Sequence, residues 1–168
     1  GIDSIDKITI LPRSGFIGGY TKIAPDDDVI SSGFLSKKLL LSKIEVALAG
    51  RAAEIVVFGF NEITQYAANN INYSTEIAKE MVTKYGFSVI GPVSLAQNND
   101  EIFLGNSLLR NKSIIADKTS TIIDNQITRI SKEALENAVL KIKNNRSMLE
   151  KIVEVLIDEE TIDGNRFK

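Results

Sequence analysis

The segment SKKLLLSKIEVALAGRAAEIVVFG, residues 36–59, decides how this sequence folds. Its apolar residues recur at helical spacing, and Ser36 and Gly59 are suited to begin and to end a helix. The residues just before the glycine are apolar on nearly every side, so we predict a central, buried helix. Arg51 and Glu54 stand three residues apart and are expected to form a local ion pair. The predicted inward positions are Leu39, Leu40, Ile44, Leu48, Ala52, Ile55 and Val56.

Two short segments rich in β-branched residues precede this helix. Residues 7–12 (KITILP) predict a strand that ends at a proline, and residues 16–23 (FIGGYTKI) predict a second strand. The adjacent Gly18 and Gly19 indicate that the backbone comes close to another element at this point. We therefore expect a β-hairpin or two edge strands.

The rest of the chain is predicted to be helical. A second helix is expected from about residue 70 to residue 85, with Gly86 as its cap. Its predicted inward residues are Ile71, Thr75, Ala78, Met81 and Val82. Short extended pieces are predicted at residues 91–95 and 102–105. Two further helices, broken near residues 145–147, carry apolar stripes, and residues 160–164 predict a turn.

These elements predict a mostly α fold, with a small N-terminal β element and a C-terminal helix hairpin. We expect a single domain over residues 1–168. Within it, residues 1–35 would hold the β element and a loop, residues 36–105 the central helices and residues 106–168 the C-terminal helices.

The composition excludes several classes of function. The 168 residues include 20 basic and 22 acidic side chains, and the net charge of −2 gives no reason to expect a nucleic-acid partner. Cysteine is absent, which excludes disulfides and thiolate metal sites. Histidine is absent too, so the chain as given is not expected to act as a histidine-ligand zinc peptidase. No apolar run is long enough to span a bilayer, so any membrane attachment is expected to lie outside this chain.

A series of short strings, in collinear order from residue 7 to residue 164, carries a resemblance to one protein family. The strings are residues 8–13 (ITILPR), 18–21 (GGYT), 50–54 (GRAAE), 57–59 (VFG), 75–78 (TEIA), 81–86 (MVTKYG), 91–95 (GPVSL), 103–105 (FLG) and 160–164 (ETIDG). In these strings the chain is similar to the peptidase domain of FtsH-type AAA membrane proteases. The resemblance implies a helical, metallopeptidase-like domain.

The resemblance implies a hexameric, membrane-anchored machine in which an AAA ATPase ring delivers unfolded polypeptide to a zinc peptidase ring. It implies a bacterial, mitochondrial or plastid inner membrane as the setting. Zinc in this family is held by an H-E-x-x-H helix that comes before the strand at Ile8. The seven residues that precede Ile8 here contain no histidine. We expect that helix either to be missing or to lie outside this chain, so we predict no catalytic residue and no bound cofactor in the chain itself.

The family's third zinc ligand is an aspartate in a T-T-G-A-x-N-D string, and the resemblance places Asn70 at that position. A neutral carboxamide is a poor zinc ligand because it does not offset the charge of the metal. We predict that Asn70 instead caps the helix that follows, and that no metal ligand remains. If an H-E-x-x-H helix lies elsewhere, Glu62 is an alternative third ligand.

Residues Gly18, Gly19, Tyr20 and Thr21 are the remaining candidate site. In the resembled family this edge is thought to receive substrate as an added strand, and exposed strand edges bind extended peptide through main-chain hydrogen bonds. The same residues also fit a plain hairpin edge.

Three functions therefore stay open. The first is a degenerate, proteolytically silent peptidase-like module that acts in assembly or in binding unfolded polypeptide, with the AAA ATPase domain of the same or a sister subunit as partner in a homo- or hetero-hexamer. The second is the peptidase domain of an active ATP-dependent zinc metalloprotease whose H-E-x-x-H helix lies outside this chain. The third is a freestanding helical adaptor.

Overall fold

The computed structural model describes residues 4–12, 18–24, 33–92 and 109–167. The chain divides into two compact units, one made of Gly1–Ser36 with Ile142–Lys168 and the other of Lys37–Lys141. The described residues form four α-helices and a three-stranded sheet, which confirms a mostly α fold with a small N-terminal β element. The prediction of a single domain stays a prediction.

The unit Lys37–Lys141 is helical. It contains helix α1 (Lys37–Val57), two 3₁₀ turns (Phe60–Glu62 and Gln65–Ala67), helix α2 (Ala68–Thr83) and most of helix α3 (Leu109–Asn144). The predicted segment at residues 36–58 is thus confirmed as one helix with its ends displaced by a single residue. Residues 93–108 separate α2 from α3, so most of the extended pieces predicted at residues 91–95 and 102–105 lie outside the described residues.

Residues at helical spacing on all three helices make the core of this unit. Ile44 and Met81 are completely buried, and Ile130 of α3 is 5% exposed beside them. The stripes arise because residues three or four positions apart share one face of a helix. The buried cluster consists of Leu40, Ile44, Leu48, Ile77, Ala78, Met81, Val82, Ile130 and Ala134.

The inward face of α2 differs from the prediction at its first turn. Ile71 was expected to face the core but is 36% exposed, whereas Ser74 is 1% exposed. The hydroxyl of Ser74 donates a hydrogen bond to the Ile71 carbonyl at 2.8 Å, which satisfies the buried oxygen. Helix α2 begins at Ala68, two residues before the expected start, and its buried residues are Ser74, Ile77, Ala78, Met81 and Val82.

The end of α2 depends on Gly86. The helix ends at Thr83, and the Phe87 N–H donates to the Met81 carbonyl at 2.8 Å to close the terminus. Gly86 has φ 64°, and a Cβ atom there would lie 2.7 Å from the Pro92 Cα. The glycine is required both by the left-handed backbone and by the close approach of residue 92.

The other unit contains the sheet. Strand β1 (Ser4–Thr9) lies between β2 (Tyr20–Ala24) and β3 (Thr161–Asp163), and both pairings are antiparallel. Helix α4 (Arg146–Glu159) precedes β3, and a 3₁₀ turn (Gly164–Phe167) follows it. The break before α4 is confirmed at Asn145, whereas the turn predicted for residues 160–164 is wrong, because residues 161–163 pair with β1 as a third strand.

Thr9 joins the end of β1 to the end of α4. Its side chain is buried; its hydroxyl donates to the Glu160 carbonyl at 3.1 Å and accepts hydrogen bonds from the Thr161 hydroxyl at 2.9 Å and the Leu11 N–H at 3.2 Å. The Glu160 carbonyl also accepts from the Ile10 N–H at 3.0 Å. These bonds hold Glu160 at φ 59°, a left-handed conformation that ends α4 and directs the chain into β3.

In the part of the chain that the structure describes, no helix combines the length and the apolar character needed to cross a bilayer.

Candidate substrate strand and zinc-ligand position

Strand β2 forms one edge of the sheet. It pairs with β1 in the register Thr21 with Ile8 and Tyr20 with Thr9, and its opposite side has no strand partner among the described residues. The side chains of Thr21, Lys22 and Ile23 are exposed. The predicted strand at residues 16–23 is therefore displaced, since β2 covers Tyr20–Ala24 and residues 13–17 lie outside the description. Of the four candidate residues, Tyr20 and Thr21 belong to β2, and the two glycines precede it.

Gly19 brings the start of β2 directly against β1. A Cβ atom on Gly19 would lie 1.8 Å from the Thr9 carbonyl oxygen and 2.6 Å from the Ile10 Cα, so only glycine fits. Gly18 has φ 111°, which also favours glycine. The close approach predicted from the glycine pair thus occurs, and the element approached is β1.

A bulge in β1 places one charged pair beside the candidate strand. The register passes from Ile5 with Ile23 to Lys7 with Lys22, so Asp6 is the extra residue. The Asp6 carboxylate lies 2.7 Å from the Lys22 Nζ atom, and this hydrogen bond, with the attraction of the carboxylate, raises the pKa of Lys22. The exposed face of β2 thus carries a lysine whose charge is balanced from the neighbouring strand.

Asn70 lies in the first turn of α2, with an exposed side chain. The prediction that Asn70 caps this helix is wrong, because the residue at the N-cap position is Ala67, which makes no side-chain capping bond. The cap is displaced upstream, where the Thr64 hydroxyl accepts a hydrogen bond from the Tyr66 N–H at 3.2 Å and begins the 3₁₀ turn that leads into α2.

The donor atoms around Asn70 do not fit a zinc ion. The chain has no histidine and no cysteine, and the described residues contain no group of three or more His, Cys, Asp or Glu side chains placed to hold a metal. Glu62, the alternative ligand, lies exposed in the turn Phe60–Glu62. Zinc sites in proteins are built from imidazole, thiolate and carboxylate ligands, and a neutral carboxamide is a weak replacement.

A side-chain network joins α1 to the segment that precedes Asn70. The predicted pair of Arg51 and Glu54 is present, with 3.4 Å between Nε and Oε2. It extends to Thr64, whose carbonyl accepts from the Arg51 Nη2 at 2.7 Å and whose hydroxyl donates to the Glu54 Oε1 at 2.5 Å. Sequence reasoning missed Thr64 because it lies thirteen residues from Arg51 and belongs to an irregular segment.

The mostly α fold with its small sheet agrees with the FtsH-type peptidase domain that the sequence resembles. The chain belongs to peptidase family M41, whose family model matches residues 1–168.

The similarity to individual relatives covers essentially the whole chain. The chain is 34% identical over 167 residues to the ATP-dependent zinc metalloprotease FtsH 3 of Synechocystis. The aligned part covers 99% of this chain and 27% of that protein. The chain is 37% identical over 168 residues to the chloroplastic FTSH 8 of Arabidopsis thaliana, covering 100% of this chain and 24% of the relative. It is 39% identical over 172 residues to the chloroplastic FTSH 2 of Oryza sativa, again covering 100% and 24%. The chain thus spans about a quarter of the length of these relatives.

Proposed function

We propose that this chain is a proteolytically silent, peptidase-like module of an FtsH-type ATP-dependent membrane protease, and that it acts in assembly and in binding polypeptide. The observation that carries the proposal is Asn70, an exposed carboxamide at the position of the third zinc ligand. A carboxamide oxygen has no formal charge, so it does not compensate the double charge of zinc as a carboxylate does.

The folded scaffold supports a role that does not depend on cutting. The buried cluster around Ile44 and Met81 consists of apolar side chains, and the three-stranded sheet is joined by strand pairing. The module is proposed to work beside the AAA ATPase domain of the same or a sister subunit, in a homo- or hetero-hexamer. Attachment to a bacterial, mitochondrial or plastid inner membrane would be made by segments other than this one.

The edge of the sheet supports polypeptide binding. Strand β2 is an edge strand with exposed Thr21, Lys22 and Ile23, and an extended polypeptide is recognised at such an edge by main-chain hydrogen bonds and alternate side-chain contacts. The balanced charge of Lys22 leaves this edge without a strong preference for acidic peptides.

The test uses the full-length parent protein with ATP and casein. We expect no zinc-dependent cleavage of casein and no stoichiometric zinc in the purified protein, while unfolded casein still binds. Ile23→Glu should weaken casein binding, because it places a charge on the candidate strand. Val46→Glu is the control, since Val46 is also β-branched and exposed but lies on α1. Equal casein affinity of the two variants would contradict a binding role for β2.

An active ATP-dependent zinc metalloprotease is the second candidate, because the relatives carry that name and are about four times as long as this chain. Zinc-dependent proteolysis by the parent protein would establish this candidate and overturn the first. A freestanding adaptor is the third reading, and sedimentation of the parent protein as a monomer would support it against a ring module.

A further inference from the structure

The side chains of Arg51, Glu54 and Thr64 form a link between two segments of the chain. Arg51 and Glu54 belong to α1, and Thr64 lies at the end of the irregular connection, directly before the turn that leads into α2. We propose that these three residues, here called the clamp, hold the start of α2 against α1 without a metal ion. The inference rests on the proposed absence of zinc, and it explains how the segment that carries Asn70 stays ordered.

The contacts of the clamp use both the backbone carbonyl and the side-chain hydroxyl of Thr64. Its carbonyl accepts from Arg51 at 2.7 Å, and its hydroxyl donates to Glu54 at 2.5 Å while accepting from the Tyr66 N–H at 3.2 Å. One threonine therefore fixes both the position of the connection and the direction of the next turn. Bonds to charged partners are the stronger kind of protein hydrogen bond.

Burial separates the Arg51–Glu54 pair of the clamp from the Lys84–Glu80 pair of the same unit, whereas Thr64 itself is exposed. The Arg51 and Glu54 side chains are 14% and 17% exposed, whereas those of Lys84 and Glu80 are 54% and 41% exposed. The Arg51 Nε and the Glu54 Oε2 are inaccessible to solvent and face each other at 3.4 Å. A charge pair shielded from water is screened little, and loss of one partner leaves the other charge uncompensated.

The clamp joins two chain segments by side-chain contacts, as a structural metal ion does in other proteins. A structural metal stabilises a fold by joining segments that are distant in sequence. Here residues of one helix are joined to a connection that begins after Gly59 and ends at the first turn of α2. Asn70 lies six residues beyond Thr64, in the first turn of the helix that follows the clamp.

Thr64→Val tests the clamp, since valine keeps the shape of threonine and removes the hydroxyl. We expect the melting temperature of the full chain to fall by about 3–6 °C. The amides of residues 64–68 should exchange their hydrogens roughly tenfold faster, because this segment can then open while the rest of the chain stays folded. A chelator and added zinc should leave the melting temperature of the unmodified chain unchanged.

Thr83→Val is the matched control. The Thr83 hydroxyl donates to the Lys79 carbonyl of its own helix at 2.8 Å, and loss of such a bond within one helix has little effect. Glu54→Gln is a second variant, which keeps the shape of the side chain and removes the charge facing Arg51. It should speed exchange in the same amides.

Two results would overturn the clamp. One is a Thr64→Val protein whose exchange and melting match those of Thr83→Val. The other is a melting temperature that rises with zinc, or falls with a chelator, by as much as Thr64→Val lowers it. Proteolysis by the parent protein would refute the proposed silence and leave the exchange result standing, so the two failures are distinguishable.

Discussion

Replacing Gly19 with alanine adds one methyl group where the start of β2 approaches β1. The new Cβ atom would lie 1.8 Å from the Thr9 carbonyl oxygen, 2.6 Å from the Ile10 Cα and 2.7 Å from the Thr9 carbonyl carbon. All three atoms belong to the backbone of one neighbouring strand segment, so no side-chain rotation relieves the overlap. The two chain segments must separate.

The size of the effect follows from two opposed terms. An alanine reduces the freedom of the unfolded chain and stabilises the fold by about 0.4–1 kcal/mol where its conformation is compatible. Overpacking in a closely packed region costs about 1–3 kcal/mol, and a rigid backbone obstacle places this case at the upper end. The steric term is larger, so we expect Gly19→Ala to lower the free energy of unfolding by about 2 kcal/mol.

Gly50→Ala is the control, because Gly50 lies within α1 and a Cβ atom there would meet nothing within 4 Å. Alanine is favoured over glycine in a helix, so this variant should be more stable by about 0.5–1 kcal/mol. Urea unfolding followed by circular dichroism gives both values, and hydrogen exchange at the amides of β1 locates the damage of Gly19→Ala. Equal or greater stability of Gly19→Ala than of the unmodified chain would refute the close approach of β2 to β1.

Two further predictions concern charge. Glu80 has its pKa lowered by the hydrogen bond from Lys84, so the pair stabilises the fold above the ordinary carboxyl pKa of 4.5 and loses this contribution as pH falls through the lowered value. Lys84→Met should bring the pKa of Glu80, followed by NMR titration of its carboxyl carbon, back toward 4.5, and an unchanged midpoint would contradict the pairing. Asn70→Asp should raise the free energy of unfolding by about 0.3–1 kcal/mol, because a carboxylate in a first helical turn interacts favourably with the helix dipole. Asn125→Asp, inside α3, should give no such gain in urea unfolding, and equal effects of the two changes would exclude a dipole origin.

The fold was predictable from sequence wherever its causes are local. Helix α1 is confirmed to within a residue at each end, since the spacing of Ile44 and Leu48 and the stop at Gly59 are properties of that segment alone. Strand β3 was missed because its three residues carry almost no signal of their own. It is a strand only because Ile162 pairs with Ile8, which is 154 residues away in the sequence. Pairing at such distance is set by the whole fold.

In the candidate site, too, features with local causes were predictable and features set by distant contacts were not. The glycine pair correctly predicted a close backbone approach, because glycine beside a strand marks a place where another backbone comes near. The role of Asn70 as a helix cap was predicted wrongly, since the start of α2 is fixed by a turn that Thr64 caps and by its bonds to α1. Nothing in the local pattern distinguishes Thr64 from other hydroxyl residues nearby. Its two partners lie on another helix and come close only once the chain has folded.

Under the proposed function, the exposed position of Asn70 explains how the fold can outlast the loss of a zinc ligand. Asn70 is exposed and makes no part of the buried cluster around Ile44 and Met81, so exchange between carboxylate and carboxamide there changes stability little. The small difference in stability favours aspartate, because α2 has no acidic residue in its first turn to interact with the helix dipole. Stability therefore gives no reason for an asparagine at this position. The proposed release from metal binding accounts for an asparagine here, and the proposed clamp of Arg51, Glu54 and Thr64 accounts for the order of the adjoining turn.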